Sequence, residues 1–220
     1  VIWLTNLRLH AIQRRYYRGD EAAIPEYFAA LAKARSALRL PRKRALHLGS
    51  GAYRVDGWFN VDRIEETPDV AADLATALPF ASDSVDYIHT EDFLEHIDLE
   101  HGRVFLRECF RVLRHGGVIR LLTPDLEALV RRVYLDRDRR HGAWCANSFG
   151  TSTPAEALNM HLRMNGEHRF VYDDELLARE MKAAGFRVRR VRYNHSPDPF
   201  LRFLDVRDFG LNLFFEGVKG

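Results

Sequence analysis

Two cysteines in 220 residues are too few for a disulfide framework, and they stand at no metal-binding spacing. Cys109 falls within an apolar helical pattern, where a small core residue is the simplest reading. With so little cysteine, the chain is expected in a reducing compartment, the cytoplasm. Long apolar runs are missing too. The longest are a handful of residues, which excludes a membrane-spanning helix from this sequence. There is no secretory-leader pattern, internal repeat or low-complexity tract. A strong charge of one sign is also lacking: the net charge is +2, too small to argue for nucleic acid as a partner.

What is present suits one globular unit. The hydrophobic fraction is 46% and the charged fraction 29%, and the length supports one sizeable core but not two. Charge is uneven: residues 1–60 carry eleven Lys or Arg against four Asp or Glu, leaving −5 for the rest. Arg8, Arg14, Arg15 and Arg18, then Arg39, Arg42, Lys43 and Arg44, make up most of the excess. Two readings stand, a solvated helix face with a basic lead-in, or a patch for weak contact with an acidic membrane surface or a phosphorylated substrate.

Trp3, Leu4, Leu7 and Ala11 fall at helical spacing, predicting a short amphipathic helix over 3–17, and a second is expected over 21–39. Residues 1–40 thus read as a helical extension packing on a domain that runs from 41 to 220. Strands are expected at 45–48, 58–61, 70–72, 85–89 and 118–123. Between the last two, Phe105, Cys109, Val112 and Leu113 lay an apolar stripe along a helix over 99–114, stopped by Gly116-Gly117. A helix follows over roughly 125–136, then an irregular, lid-like insertion over 137–172. Asp173 caps a helix over 174–184, and strands close the chain at 187–193 and 211–218. Strands alternating with helices predict an α/β, doubly wound, mostly parallel sheet with ligands at the carboxyl ends of its strands.

The stretch "LHLGSGAYRVDGWFNVDR" carries the chemistry. Gly49 and Gly51 follow the first strand, where the absence of Cβ lets backbone N–H groups approach a ligand. Asp62 ends the second strand, where a carboxylate can accept from both hydroxyls of a ribose. Asp73-Leu74 follows the third, where an acid can take an adenine amino group and a leucine can cover the ring. Three successive strand ends offer the parts of a nucleoside pocket in order.

Taken together, "LHLGSG", "NVDR", "DLATALPFASDSVDYIHTEDFLEHI" and "FLRECFRVLRHGGVIRLLTPD" resemble the motif series of class I S-adenosylmethionine-dependent methyltransferases, in the small bacterial type known as methyltransferase type 11. The likeness covers roughly residues 44–125 and continues more loosely through "HRFVYDDELLAREMKAAGF". It implies a seven-stranded Rossmann-like sheet with the last strand antiparallel, S-adenosyl-L-methionine as cofactor, and transfer of its methyl to a small-molecule, glycan or lipid-linked acceptor. Carried over by position, the resemblance sets His47, Gly49, Ser50 and Gly51 at the methionine end and ribose side. It sets Asp62 with Arg63 at the ribose, and Asp73 with Leu74 at the adenine. Thr90 and Glu91 fall at the methyl-donor face and His96 at the substrate mouth. His96 and Glu91 are the candidate bases for an acceptor that must lose a proton.

Two departures stand out. The acid usual two residues before the first loop glycine is His47, and the third glycine is replaced by Tyr53. Ten residues separate Gly51 from Asp62, leaving little room for a crossover helix. The methionine carboxylate then lacks a helix N-terminus, for which a protonated His47 or Arg54 would compensate. A nicotinamide dinucleotide site fares poorly, since a third glycine would be needed at Arg54 and no helix follows for a pyrophosphate. A cofactor-binding or vestigial domain serving as a partner surface stays open as the non-enzymatic alternative. Asp125 reads as a substrate contact or a helix N-cap, and Trp144, Phe149 and Met160 as core. His161 and His168, seven apart, meet only if the insertion folds back, and no metal ligand is expected.

Overall fold

The strand at 45–48 is apolar but for His47, and all four of its residues are buried, as a strand covered on both faces requires. It is β1 (Ala45–Leu48) of a computed structural model that describes residues 7–9, 11, 12, 14, 15, 20, 22–36, 44–63, 68–207 and 210–220. β1 lies between β2 (Phe59–Asp62) and β4 (Val85–Glu91), parallel to both. β3 (Val70–Ala71) adds to β2, and β5 (Leu113–Pro124) adds to β4, again in parallel. β7 (Asn212–Lys219) runs antiparallel between β5 and β6 (Phe186–Arg190). The order is β3-β2-β1-β4-β5-β7-β6, a seven-stranded, mostly parallel sheet with an antiparallel final strand, as expected.

Helices cover both faces. α1 (Ala23–Ser36) buries Ala23, Tyr27 and Leu31 against Leu122, Tyr193 and Phe214. Residues 7–9, 11, 12, 14 and 15 are also helical, with Leu9 and Ile12 in the same cluster. Trp3, Leu4, Arg18, Arg39, Arg42 and Lys43 lie outside the described residues. α2 (Leu99–Val112) starts at Asp98, whose side chain accepts the His101 N–H. It buries Phe105, Leu106, Cys109 and Val112, so Cys109 is a core residue. No helix among the described residues is long and apolar enough to cross a membrane.

Several boundaries differ from expectation. α2 ends at Val112, not 114, because Leu113 already has extended backbone and pairs with Val85. The 125–136 helix splits into a turn at Leu126–Ala128 and a π-helical stretch at Leu129–Leu135. The sixth strand stops at Arg190, since Asn194 takes a left-handed conformation and turns the chain. The region expected to be irregular is helical: α3 (Arg139–Phe149) and α4 (Pro154–Arg163) fill most of it. Thr153 and Glu156 form a reciprocal capping box with Pro154 at the first helical position, and Gly150 closes α3 in the left-handed region. Cys145 and Ala157 pack with Leu129, Val133 and Leu211 beneath these helices. α5 (Asp174–Ala183) begins where expected, with Asp173 accepting the Leu176 N–H. The connection from β1 to β2 contains no helix. Asn60 braces it instead, accepting from the Val55 N–H at 2.8 Å and donating to the Trp58 carbonyl at 3.0 Å.

Arg120, the one charge in the buried part of β5, is fully enclosed. Its guanidinium donates to Asp205, to Glu216 on β7 at 2.8 Å, and to the carbonyls of Arg192 and His195. Removing one partner from such a group strands a charge in the interior. Arg120→Met is therefore expected to lower unfolding free energy by about 3–5 kcal/mol in urea denaturation; a change below about 1 kcal/mol would show the cluster to be dispensable.

Candidate active site

At the carboxyl ends of β1 and β4 lies a cavity of about 730 Å³, a size suited to a nucleoside-type ligand. One side is His47 and the loop from Gly49 to Tyr53; the other is Glu91, Asp92 and His96, closed by Val206 and Arg207. Six of the expected site residues thus surround one space: His47, Gly49, Ser50, Gly51, Glu91 and His96.

Gly49 is required sterically. It sits at φ 69°, and a Cβ there would come within 2.6 Å of the Phe93 Cβ. Gly51, at φ 50°, has open space where a Cβ would stand. The loop amides do not face a ligand as expected. Those of Gly49 and Ser50 donate to the Val61 carbonyl, and that of Gly51 to Asp62 Oδ2 at 2.8 Å. The glycines therefore provide close backbone approach rather than free donors. Ser50 Oγ is buried with no hydrogen-bond partner among the described residues, a polar group that a bound ligand would satisfy.

Asp62 ends β2 beside the cavity, tied to it through Gly51, while its Oδ1 accepts the Arg63 N–H. Asp62, Arg63, Asp73, Leu74 and Thr90 are not among the lining residues; Asp73 is exposed and accepts the Ala75 N–H. Leu74 packs in the main core. Thr90 is buried below the cavity, and its hydroxyl also lacks a partner among the described residues. Asp125 is the N-cap of the helical turn at Leu126–Ala128, accepting from the N–H groups of Glu127 and Ala128.

Electrostatics sort the groups further. Burial, reinforced by His89 stacked 5.2 Å away, drives the His47 pKa down to about 3, so the ring is neutral near pH 7. Its Nδ1 lies 3.2 Å from Asn60 Oδ1. A neutral His47 cannot balance the cofactor's carboxylate, and Arg54 is paired with Asp69, so neither provides the compensating charge expected from sequence. The cation lining the cavity is Arg207, paired with Asp92. Burial, then repulsion from Asp92, pushes the Glu91 carboxyl up to about 8, while Arg207 and the Val206 N–H pull against this. Both Glu91 oxygens accept from the Val206 N–H, and Oε1 also accepts from Arg207 N–H at 2.7 Å. Glu91 thereby fastens the far wall. Tyr53, Asp92, Val206 and Arg207 were not singled out as lining residues by sequence; "DVRDFG" lies more than a hundred residues from the glycine loop and carries no motif.

Residues 46–121 match the family model described as a methyltransferase domain. The matched stretch runs from β1 into β5 and takes in the glycine loop and Glu91 of the cavity. No curated protein matches the chain in sequence. Solved structures share its fold along most of their length. A methyltransferase of Thermotoga maritima is 18% identical, covering 96% of this chain and 100% of its own, with a TM-score of 0.53. One from Archaeoglobus fulgidus is 14% identical over 96% and 99%, with a TM-score of 0.51. One from Mesorhizobium loti is 16% identical over 85% and 96%, with a TM-score of 0.50. At these identities the likeness is one of fold. The residues here fit S-adenosyl-L-methionine, the cofactor that the sequence resemblance implies: open space at Gly51, an unsatisfied Ser50 hydroxyl, and Asp62 at the end of β2.

The neutral His47 makes stability pH-dependent. Below about pH 6.5 the unfolded chain takes up a proton there that the folded chain refuses until about pH 3, so this contribution is lost as pH falls through that window. His47→Asn is expected to flatten the acid limb of a plot of unfolding free energy against pH; an unchanged slope from pH 6.5 to 4 would show that His47 is charged in the fold.

Proposed function

We propose that the chain is an S-adenosylmethionine-dependent methyltransferase, transferring the cofactor's methyl to a hydroxyl oxygen of a small-molecule, glycan or lipid-linked acceptor entering beside His96. The observation that carries the reading is the position of His96. It lines the cavity, and its ring nitrogens make no hydrogen bond among the described residues, unlike Glu91, Asp92 and His47. An oxygen acceptor must lose its proton at or before attack, so a proton-handling site at the mouth is the feature such chemistry needs.

The chemistry supplied by the bound cofactor is an electrophilic methyl on a sulfonium with a thioether leaving group. The chain's own residues bind, align and exclude water. Asp62 receives the ribose hydroxyls while its Gly51 bond keeps the carboxylate in place. Ser50 Oγ gains a partner. The wall fixed by Glu91 and the backbone of Val206 and Arg207 keeps solvent from the transfer point.

Calorimetry with S-adenosylhomocysteine tests the binding half. Saturable one-to-one binding is expected, weakened about 10- to 100-fold by Asp62→Ala, as loss of hydrogen bonds to a charged group implies. No binding by the parent chain overturns the reading. Transfer of a labelled methyl into hydroxyl-bearing compounds of a cell extract, lost in His96→Ala while homocysteine-product binding persists, supports the acceptor assignment. Binding with no methyl transfer to any acceptor favours a non-catalytic domain.

A further inference from the structure

The 3-10 turn at Leu94–His96 sets two unlike side chains side by side, and α4 returns a third to meet them. The Arg169 and Phe170 N–H groups both donate to the Glu95 carbonyl, which fastens the segment after α4 to this turn. As a result, one ligand atom each from Glu95, His96 and His168 lies within 4.8 Å of the others, and the two imidazoles meet edge to face at 4.9 Å. Seen in sequence, His168 pairs with nothing; in the fold it joins the mouth of the cavity.

Two features go beyond proximity. First, each of two ligand groups is held from behind. His168 Nδ1 lies 2.7 Å from the His161 carbonyl, which fixes the proton on Nδ1 and leaves Nε2 with its lone pair. Glu95 Oε2 accepts from Thr123 Oγ1 at 3.0 Å. Second, Glu95 is only 1% exposed, and no Lys, Arg or His forms an ion pair with it among the described residues. Glu95 is thus a buried carboxyl with no ion-pair partner among the described residues, a group that a bound cation can pair with.

We propose that Glu95, His96 and His168 form a binding site for a divalent transition-metal ion, of the Zn²⁺ class, at the acceptor end of the cavity. Two imidazoles and one carboxylate are a donor set such ions take, and three protein ligands leave a coordination position open. His96 lines the cavity, so that position lies at its edge. His96 and His168 are half-buried and have room to close to the metal–ligand distance of about 2.0–2.2 Å. The open position receives the acceptor's hydroxyl oxygen, and this role rests on the methyl-transfer reading. The ion lowers the hydroxyl pKa. The O–H bond breaks and its proton passes to water. The oxygen pair forms the new C–O bond as the C–S bond breaks with its electrons on sulfur, giving a methyl ether and the thioether product.

The test uses the full chain, stripped with a chelator and titrated with Zn²⁺ alone by competition with a chromophoric chelator. One equivalent is expected to bind, with affinity reduced at least 100-fold in Glu95→Gln and in His168→Ala, and unchanged in His101→Ala, an exposed histidine elsewhere. Thermal melts of the stripped variants check folding. Co²⁺ substitution adds a second readout: visible d–d bands in the parent chain, absent in His168→Ala. Absence of one-to-one binding, or equal affinity in all variants, overturns the site. Turnover is read separately. Loss of methyl transfer on chelation, restored by Zn²⁺ with S-adenosylhomocysteine binding unchanged, supports the role. Metal-independent turnover overturns the role and makes His96 the direct base, whereas absent cofactor binding with intact Zn²⁺ binding removes the methyl-transfer reading and leaves the site.

Discussion

The enclosed guanidinium of Arg120 governs how the second half of the chain meets the first. β5 is a central strand, and a charge there is tolerated only because two carboxylates and two carbonyls surround it. Those partners come from β7 and from the segment between β6 and β7. Asp205 is the critical one, since it also accepts the Asn194 N–H and so closes the 194–205 loop on itself. The next two residues, Val206 and Arg207, then fall against Glu91. A buried ion cluster deep in the sheet thus decides where a cavity wall stands.

The two ends of that cavity are built differently. At the glycine loop the backbone is satisfied internally, by Val61 and Asp62, and recognition falls to side chains and to the space glycine leaves open. At the opposite end the acids Glu91, Asp92 and Glu95 crowd within a short stretch, with Arg207 balancing Asp92. Burial and mutual repulsion raise Glu91, and they raise Glu95 as well. Raised in this way, Glu91 is largely protonated near pH 7, and the charge at this end of the cavity is carried by the Asp92–Arg207 pair.

The sheet was legible because its signal is local. Short apolar strands, a glycine pair and two acids at successive strand ends follow one another within about thirty residues, and each is set by period and turn chemistry. α2 was legible by its stripe and Asp173 by its place before an apolar run. The capping box at Thr153–Glu156 was equally local and was passed over because the residues around it are polar and rich in histidine. The partners of Arg120 at 205 and 216 could not be named from sequence, since no pattern links positions nearly a hundred residues apart. For the same reason Arg207 went unnoticed, and His47 was assigned a charge that only its burial beside His89 forbids. Local grammar writes the scaffold; long-range enclosure writes the electrostatics.

The contact between Glu91 and the backbone at 206–207 joins residues 115 positions apart. Loops of that span close late, after local helices and neighbouring strands have formed. A chain still emerging from the ribosome would own the glycine loop and the acids at the strand ends yet have no enclosed chamber. Affinity for a ligand there would arrive only when the 206–207 backbone docks, so that capture and closure of the cavity become a single event.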